Sequence, residues 1–217
     1  TLRTISECNM LDRHIRKHID APLNQMGQRL ARDGFSANDV TLIGLGLGLF
    51  SAALICFGWT SLALVPLLIS RLADGLDGAV ARATQTTDFG GYLDIAADFL
   101  FYGAIPMAFV FFDPATNGAA GAFLLTAFYF NGTSFLGFAI LAEKNGMETS
   151  AQGVKSLYYS NGILEGAETI IFFVLLCCVP GAFAPLAWIF GALCFATATL
   201  RIYGAKQIFT AKLGSDT

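Results

Sequence analysis

Six runs of predominantly apolar residues, at 40–58, 61–82, 89–112, 119–142, 157–179 and 185–209, dominate the chain. Each is close to the length of a helix that crosses the hydrocarbon core of a bilayer, about 20 residues. In hydrocarbon each backbone amide and carbonyl must be paired within the protein, so runs of this kind have to be helices. Across 217 residues the chain is 55% apolar and 13% charged, too little polar surface to clothe a water-soluble globule. No stretch is left for a separate soluble catalytic domain, so any chemistry must come from the spans or their short connections. The sequence therefore predicts an all-α membrane protein with six transmembrane helices preceded by an N-terminal interfacial amphipathic helix. Residues 1–39 would form the cytoplasmic or interfacial segment, and 40–217 the transmembrane domain.

In that first segment Leu11, Ile15, Ile19, Leu23, Met26 and Leu30 recur at helical spacing, which puts them on one face of a helix lying in the headgroup plane. Pro22 removes an amide donor and clashes with the preceding turn, at a cost of about 3 kcal/mol mid-helix, so a kink or two short helices are expected. The segment is charged and the first apolar run follows it, unlike a cleavable signal peptide. His14 and His18 stand four apart, but without a carboxylate or cysteine partner they read as polar-face residues rather than ligands. Cys8, Cys56, Cys177, Cys178 and Cys194 lack CxxC spacing and read as core residues.

Of the 13 Lys and Arg residues, all but Arg71 fall in the N-terminal segment, the second-to-third and fourth-to-fifth connections, or the tail. The opposite connections have none, so both termini and these loops are expected on the cytoplasmic side. A net charge of −3 and the lack of a basic stripe with interleaved aromatics give no sign of a nucleic-acid partner.

The chemistry concentrates on the second and third spans. A charge inside a span costs a few kcal/mol or more, and here four aspartates, Asp74, Asp77, Asp94 and Asp98, stand close in sequence. At 100° per residue, Asp74, Asp77, Gly78, Ala81 and Arg82 fall within an arc of about 140°, and Gly90, Gly91, Asp94 and Asp98 within about 100°. Packed antiparallel, the two faces would bring the carboxylates together near the cytoplasmic side. Their mutual repulsion calls for a hard divalent cation such as Mg²⁺, Mn²⁺ or Ca²⁺, of which Mg²⁺ commonly bridges carboxylates and phosphate oxygens. Gly75, Gly78, Gly90 and Gly91 leave room for a bulky ligand, and Arg82 offers a planar cation suited to phosphate.

The run from Asp74 through Asp77, Gly78, Ala81 and Arg82, followed by Gly90, Asp94 and Asp98, resembles the signature of the CDP-alcohol phosphotransferase family, D-x-x-D-G-x-x-A-R then G-x-x-x-D-x-x-x-D. The interval between Arg82 and Gly90 is one residue shorter than in that pattern, which places a deletion in the connecting turn. The resemblance implies that Asp74, Asp77 and Asp94 hold metal, with Asp98 near it and acting as the base toward the acceptor hydroxyl. It further implies that Asp74, Gly78, Ala81, Arg82 and Gly90 line the CDP site, with Asn38 and Thr41 resembling a weaker element near the nucleotide. The implied reaction transfers a phosphatidyl group from CDP-diacylglycerol or a related CDP-alcohol to a small alcohol, releasing CMP, in the bacterial inner membrane and as a homodimer.

On the fifth span Glu165 and Glu168, with Lys155, Tyr158, Tyr159 and Asn161 before them, could form an acceptor pocket or pair with Arg71 or Arg201. Gly44, Gly46 and Gly48 favour close helix approach. Rival readings are a small transporter or channel with an acidic cation path, a membrane prenyltransferase, and a silent scaffold. The confinement of the acidic residues to one depth, the shortness of the chain and the intact aspartates argue against each in turn.

Overall fold

Helix ends in this protein are written into short polar motifs, and the computed structural model shows several of them made. It describes residues 21–146 and 166–213, with side chains up to 210. Helix α1 is described over 21–32. Then come α2 (Ala37–Cys56), α3 (Thr60–Ala83), α4 (Asp88–Phe112), α5 (Pro114–Lys144), α6 (Gly166–Cys178), a 3₁₀ turn at Pro180–Ala182 and α7 (Phe183–Leu213). Ser36 caps α2: its Oγ accepts from the Asp39 amide at 3.2 Å, and Asp39 Oδ2 accepts from the Ser36 amide at 3.0 Å. This reciprocal pair satisfies two otherwise orphaned donors. Asp113 caps α5 by accepting from the Thr116 amide, with Pro114 in the first turn, where its missing N–H costs nothing. Those bonds hold the Asp113 carboxyl below its usual value, the Thr116 contribution first.

Four described helical segments are long and apolar enough to cross a membrane: Ala37–Cys56, Asp88–Phe112, Pro114–Lys144 and Pro180–Thr210. The helix expected over 61–82 is present as the 24-residue α3, but Arg71, Asp74, Asp77 and Arg82 lie within it. The helix expected over 157–179 is described only as the 13-residue α6. The described residues therefore establish an all-helical protein with four candidate spans, a coarser statement than six. Residues 1–20 are outside the described part, and with them His14, His18 and the turn that would test a kink at Pro22. Leu42, Phe50, Leu62, Ile69, Ile140 and Ile189 are exposed. So large an apolar surface suits lipid rather than water.

The chain divides into two compact units, residues 1–51 with 65–101, and 52–64 with 102–217. In the first, Leu23, Leu30 and Ala31 of α1 pack on Val40, Ala73, Leu76 and Val80. Gly27 makes this possible, because a Cβ there would stand 2.6 Å from the Ala79 Cβ and 2.8 Å from its carbonyl carbon. Two of the three α2 glycines are spent inside this unit. A Cβ on Gly44 would meet Ala73 at 3.0 Å, and one on Gly48 would meet the Phe101 ring at 2.5 Å. Helices that cannot gain from hydrophobic burial in lipid associate through this kind of close approach.

In the second unit α5 packs along α7 through rings. Phe123 lies against Trp188 and Phe195, and Phe190 stacks on Phe172 at 4.1 Å while meeting Phe128 edge-on. Buried Asn117 donates to the Phe109 carbonyl at 2.8 Å and closes the α4–α5 turn. Buried Arg201 of α7 donates through Nη1 to Oδ1 and the carbonyl of Asn131 and to Ser134 Oγ.

Candidate active site on helices α3 and α4

All four aspartates lie in the first unit, on the stretches of α3 and α4 that flank the four-residue connection 84–87. That connection is short and capped at both ends. Thr84 Oγ1 donates to the Val80 carbonyl at 2.8 Å, and the Gly90 amide donates to Thr87 Oγ1 at 3.0 Å. A turn of this length returns α4 antiparallel beside α3, which is how aspartates 17 or more apart in sequence come to face one another.

Asp77 is the most deeply set, 6% exposed. Its Oδ2 accepts from Thr41 Oγ1 of α2 at 2.6 Å, the shorter of the two contacts that this hydroxyl makes. A buried carboxylate without such a donor would carry an unpaid desolvation cost, so Thr41 supports Asp77 directly. Asp74 and Asp98 are about a third exposed, with side-chain values of 36% and 30%. They converge on one cation. Arg71 Nη1 lies 2.8 Å from Asp98 Oδ1 and 3.5 Å from Asp74 Oδ1. Its Nη2 donates to Ser70 Oγ at 3.2 Å, while that hydroxyl donates to the Gly44 carbonyl at 2.6 Å. The guanidinium lies 3.8 Å over the Phe101 ring, the same ring that the absent side chain of Gly48 admits.

Residues 35–205 match the CDP-alcohol phosphatidyltransferase family. The chain belongs to that family. It is a membrane transferase of substituted phosphate groups that draws on a CDP-alcohol, and this sets aside the channel reading. It is 45% identical to the inner membrane protein YnjF of Escherichia coli over 194 residues, 89% of this chain and 94% of that protein. In fold it is similar to the Mycobacterium tuberculosis phosphatidylinositol phosphate synthase PgsA1 solved with CDP-DAG bound. The TM-score is 0.63 at 20% identity, over 85% of this chain and 93% of that one. The same enzyme solved with manganese and citrate gives a TM-score of 0.63 at 21% identity, over 84% and 88%.

The remaining signature residues of this phosphatidyltransferase are arranged as follows. Arg82 is exposed and its Nη2 donates to Asn24 Oδ1 of α1 at 3.0 Å. Gly78 lies one turn before it, where a Cβ would stand 3.4 Å from the Arg82 Nη1. Ala81 is half-buried. Gly90 faces Asn38, whose Oδ1 would be 3.3 Å from a Cβ at that position. Asp94 is half-buried on α4, one turn before Asp98. Of the acceptor candidates, Lys155, Tyr159 and Glu165 lie outside the described residues, as do Tyr158 and Asn161. Glu168 is half-buried on α6, in the second unit.

A hard divalent ion suits this donor set in charge and in chemistry: carboxylate oxygens on two facing helices, already attracting one cation in Arg71. As the side chains stand, no three His, Cys, Asp or Glu groups among the described residues are close enough together to hold an ion. Arg71 is the site residue that the motif does not contain. Its signal was in the sequence: it is a basic residue near the middle of the expected 61–82 span, three positions before Asp74 and so on the same helix face.

Proposed function

We propose that this membrane transferase moves the phosphatidyl group of CDP-diacylglycerol, or the equivalent group of a related CDP-alcohol, to the hydroxyl of a small alcohol, releasing CMP at the α3–α4 aspartates. The observation that carries the reading is the convergence of Asp74 and Asp98 on one cationic centre, in a chain of this family. The CDP-DAG and the manganese named for the Mycobacterium enzyme support the donor and the ion.

Asp74, Asp77 and Asp94 would hold Mg²⁺ or Mn²⁺, with Asp98 at its edge. Bound there, the ion would draw charge from the diphosphate and make CMP the better leaving group. Asp98 accepts the acceptor's hydroxyl proton. Its Oδ1 is engaged by Arg71, which leaves Oδ2 for that task. Asp74, Gly78, Ala81, Arg82, Gly90, Asn38 and Thr41 form the nucleotide side, with Thr41 acting through its bond to Asp77. Lys155, Tyr159, Glu165 and Glu168 belong to the acceptor side. The chain works as a homodimer with six spans over 40–217 and an interfacial segment over 1–39, its termini and site facing the cytoplasm. The positions of Lys and Arg support that orientation.

The test is CMP release by purified protein from labelled CDP-diacylglycerol with a panel of alcohols and Mg²⁺ or Mn²⁺. Chelation should abolish release and re-addition restore it. Full turnover after exhaustive chelation would refute the metal role, and no release with any CDP-lipid would refute the donor.

A further inference from the structure

Facing aspartates need positive charge, and α3 supplies one unit of it from within. Arg71 has a side chain only 9% exposed, and it is not anchored as a structural arginine would be. Its one short bond runs from Nη1 to Asp98, the same nitrogen leans toward Asp74 at 3.5 Å, and the Nη2 bond to Ser70 is long at 3.2 Å. The buried Nε–H has no hydrogen-bond partner among the described residues. A guanidinium offers five donors, so this one is under-used where it sits, a costly state for a buried charged group. What fixes it in place is the face of Phe101 and the two carboxylates.

We propose that Arg71 is a resident counter-cation that competes with the divalent ion for the oxygens of Asp98 and Asp74. It thereby sets the ion's affinity and makes ion binding an exchange rather than an addition. The inference rests on the reading that the ion binds at these aspartates. A lone pair directed at Nη1 cannot at the same time be directed at an ion, and two cations drawn to the same carboxylates repel. The stacking on Phe101 keeps the guanidinium close when a carboxylate leaves it, so the exchange needs a change of side-chain partner and no movement of a helix. Without Arg71 the aspartates would bind an ion more tightly and would be less tolerable in its absence.

The experiment uses the full chain in nanodiscs without nucleotide, and follows Mn²⁺ by the electron paramagnetic resonance signal of the free ion. Arg71→Gln should bind Mn²⁺ at least about tenfold more tightly than the native chain, as expected for removing one nearby positive charge. It should also unfold at a lower temperature in chelator, and regain that loss when Mn²⁺ is added. Arg71→Lys keeps the charge and should fall back toward native affinity. A measurement on the unmutated chain guards against misfolded variants: the side-chain ¹⁵N signal of Arg71, assigned by its loss in Arg71→Lys, should shift as Mg²⁺ is added. Equal or weaker Mn²⁺ affinity in folded Arg71→Gln, or an Arg71 signal indifferent to Mg²⁺ that does bind, would overturn the inference and leave the metal reading intact. A native chain that binds no Mn²⁺ at all would overturn both.

Discussion

Between Ser70 and Phe101 the helices of the first unit approach through glycines, a serine hydroxyl and an arginine among carboxylates, whereas α5 and α7 approach through rings. Each region solves the same difficulty. Lipid is as apolar as a leucine side chain, so helices gain little by hiding apolar surface from it and must hold together by close packing or polar bonds. The α5–α7 pair does so with the Phe123–Trp188 and Phe128–Phe190 contacts and with the bonds of Arg201 to Asn131 and Ser134, and α6 joins α7 through the Phe172–Phe190 stack. Those contacts can be purely structural. The α3–α4 face carries charges that packing alone would never favour, and the proposed transfer chemistry would give them a use. The comparison teaches that a buried charge alone does not mark a candidate site: Arg201 gives its bonds to neutral partners within the frame, whereas Arg71 stands among carboxylates.

The comparison breaks hardest at Asp98. Asp98→Asn keeps size and removes basicity, so transfer should fall by roughly 10²–10⁴, the range for losing a general base. CDP-lipid binding, read by calorimetry, should survive. Asp77→Asn should instead weaken both ion and donor binding, since it removes a charged oxygen. Near-native turnover in Asp98→Asn would dismiss it as the base, and loss of donor binding as complete as in Asp77→Asn would make it chiefly a ligand.

A step smaller, Thr41→Val removes only the hydroxyl that donates to Asp77 at 2.6 Å. Ion affinity should drop about 10–100-fold, as for other outer partners of metal ligands, with the α2 capping box untouched. Unchanged Mn²⁺ binding would show that Thr41 serves packing alone.

In the frame, Phe190→Ala removes the ring stacked on Phe172 at 4.1 Å. Because the exposed alternative is lipid and not water, only the packing part of the usual truncation cost applies, about 1–3 kcal/mol. Thermal unfolding should register that loss while Mn²⁺ affinity stays native. A changed ion affinity would mean that the two regions are coupled more closely than their materials suggest.

The smallest effect belongs to Asp113, outside the helices and half-buried at the start of α5. Its carboxyl is held below the ordinary 3.8 by Thr116. A depressed folded value means that the stabilisation is present above the unfolded value and is lost as the pH falls through the folded one. Comparing native and Asp113→Asn melting points, the difference should be present at neutral pH, shrink as the pH falls below the ordinary 3.8, and vanish only below the depressed folded value. A difference that persists at lower pH would place the contribution in the backbone turn instead of the charge.

Much of this was legible in the sequence, because a bilayer leaves few choices. Apolar runs of span length have to be helices, and α2, α4 and α5 sit where those runs predict them. The spacing of Asp74, Asp77, Asp94 and Asp98 at helical intervals fixed which faces they occupy; α2 and α5 begin earlier than the runs expected from 40 and 119, at the Ser36–Asp39 and Asp113–Pro114 caps. Those properties depend on neighbours along the chain. What the tertiary structure alone decided is which polar group meets which across helices. Thr41 turns to Asp77, Asn24 to Arg82 and Arg71 to Asp98, pairs separated by 36, 58 and 27 positions. No periodicity encodes such pairs, because they depend on how closely Gly27, Gly44 and Gly48 let the helices approach, and that distance exists only once the helices have packed.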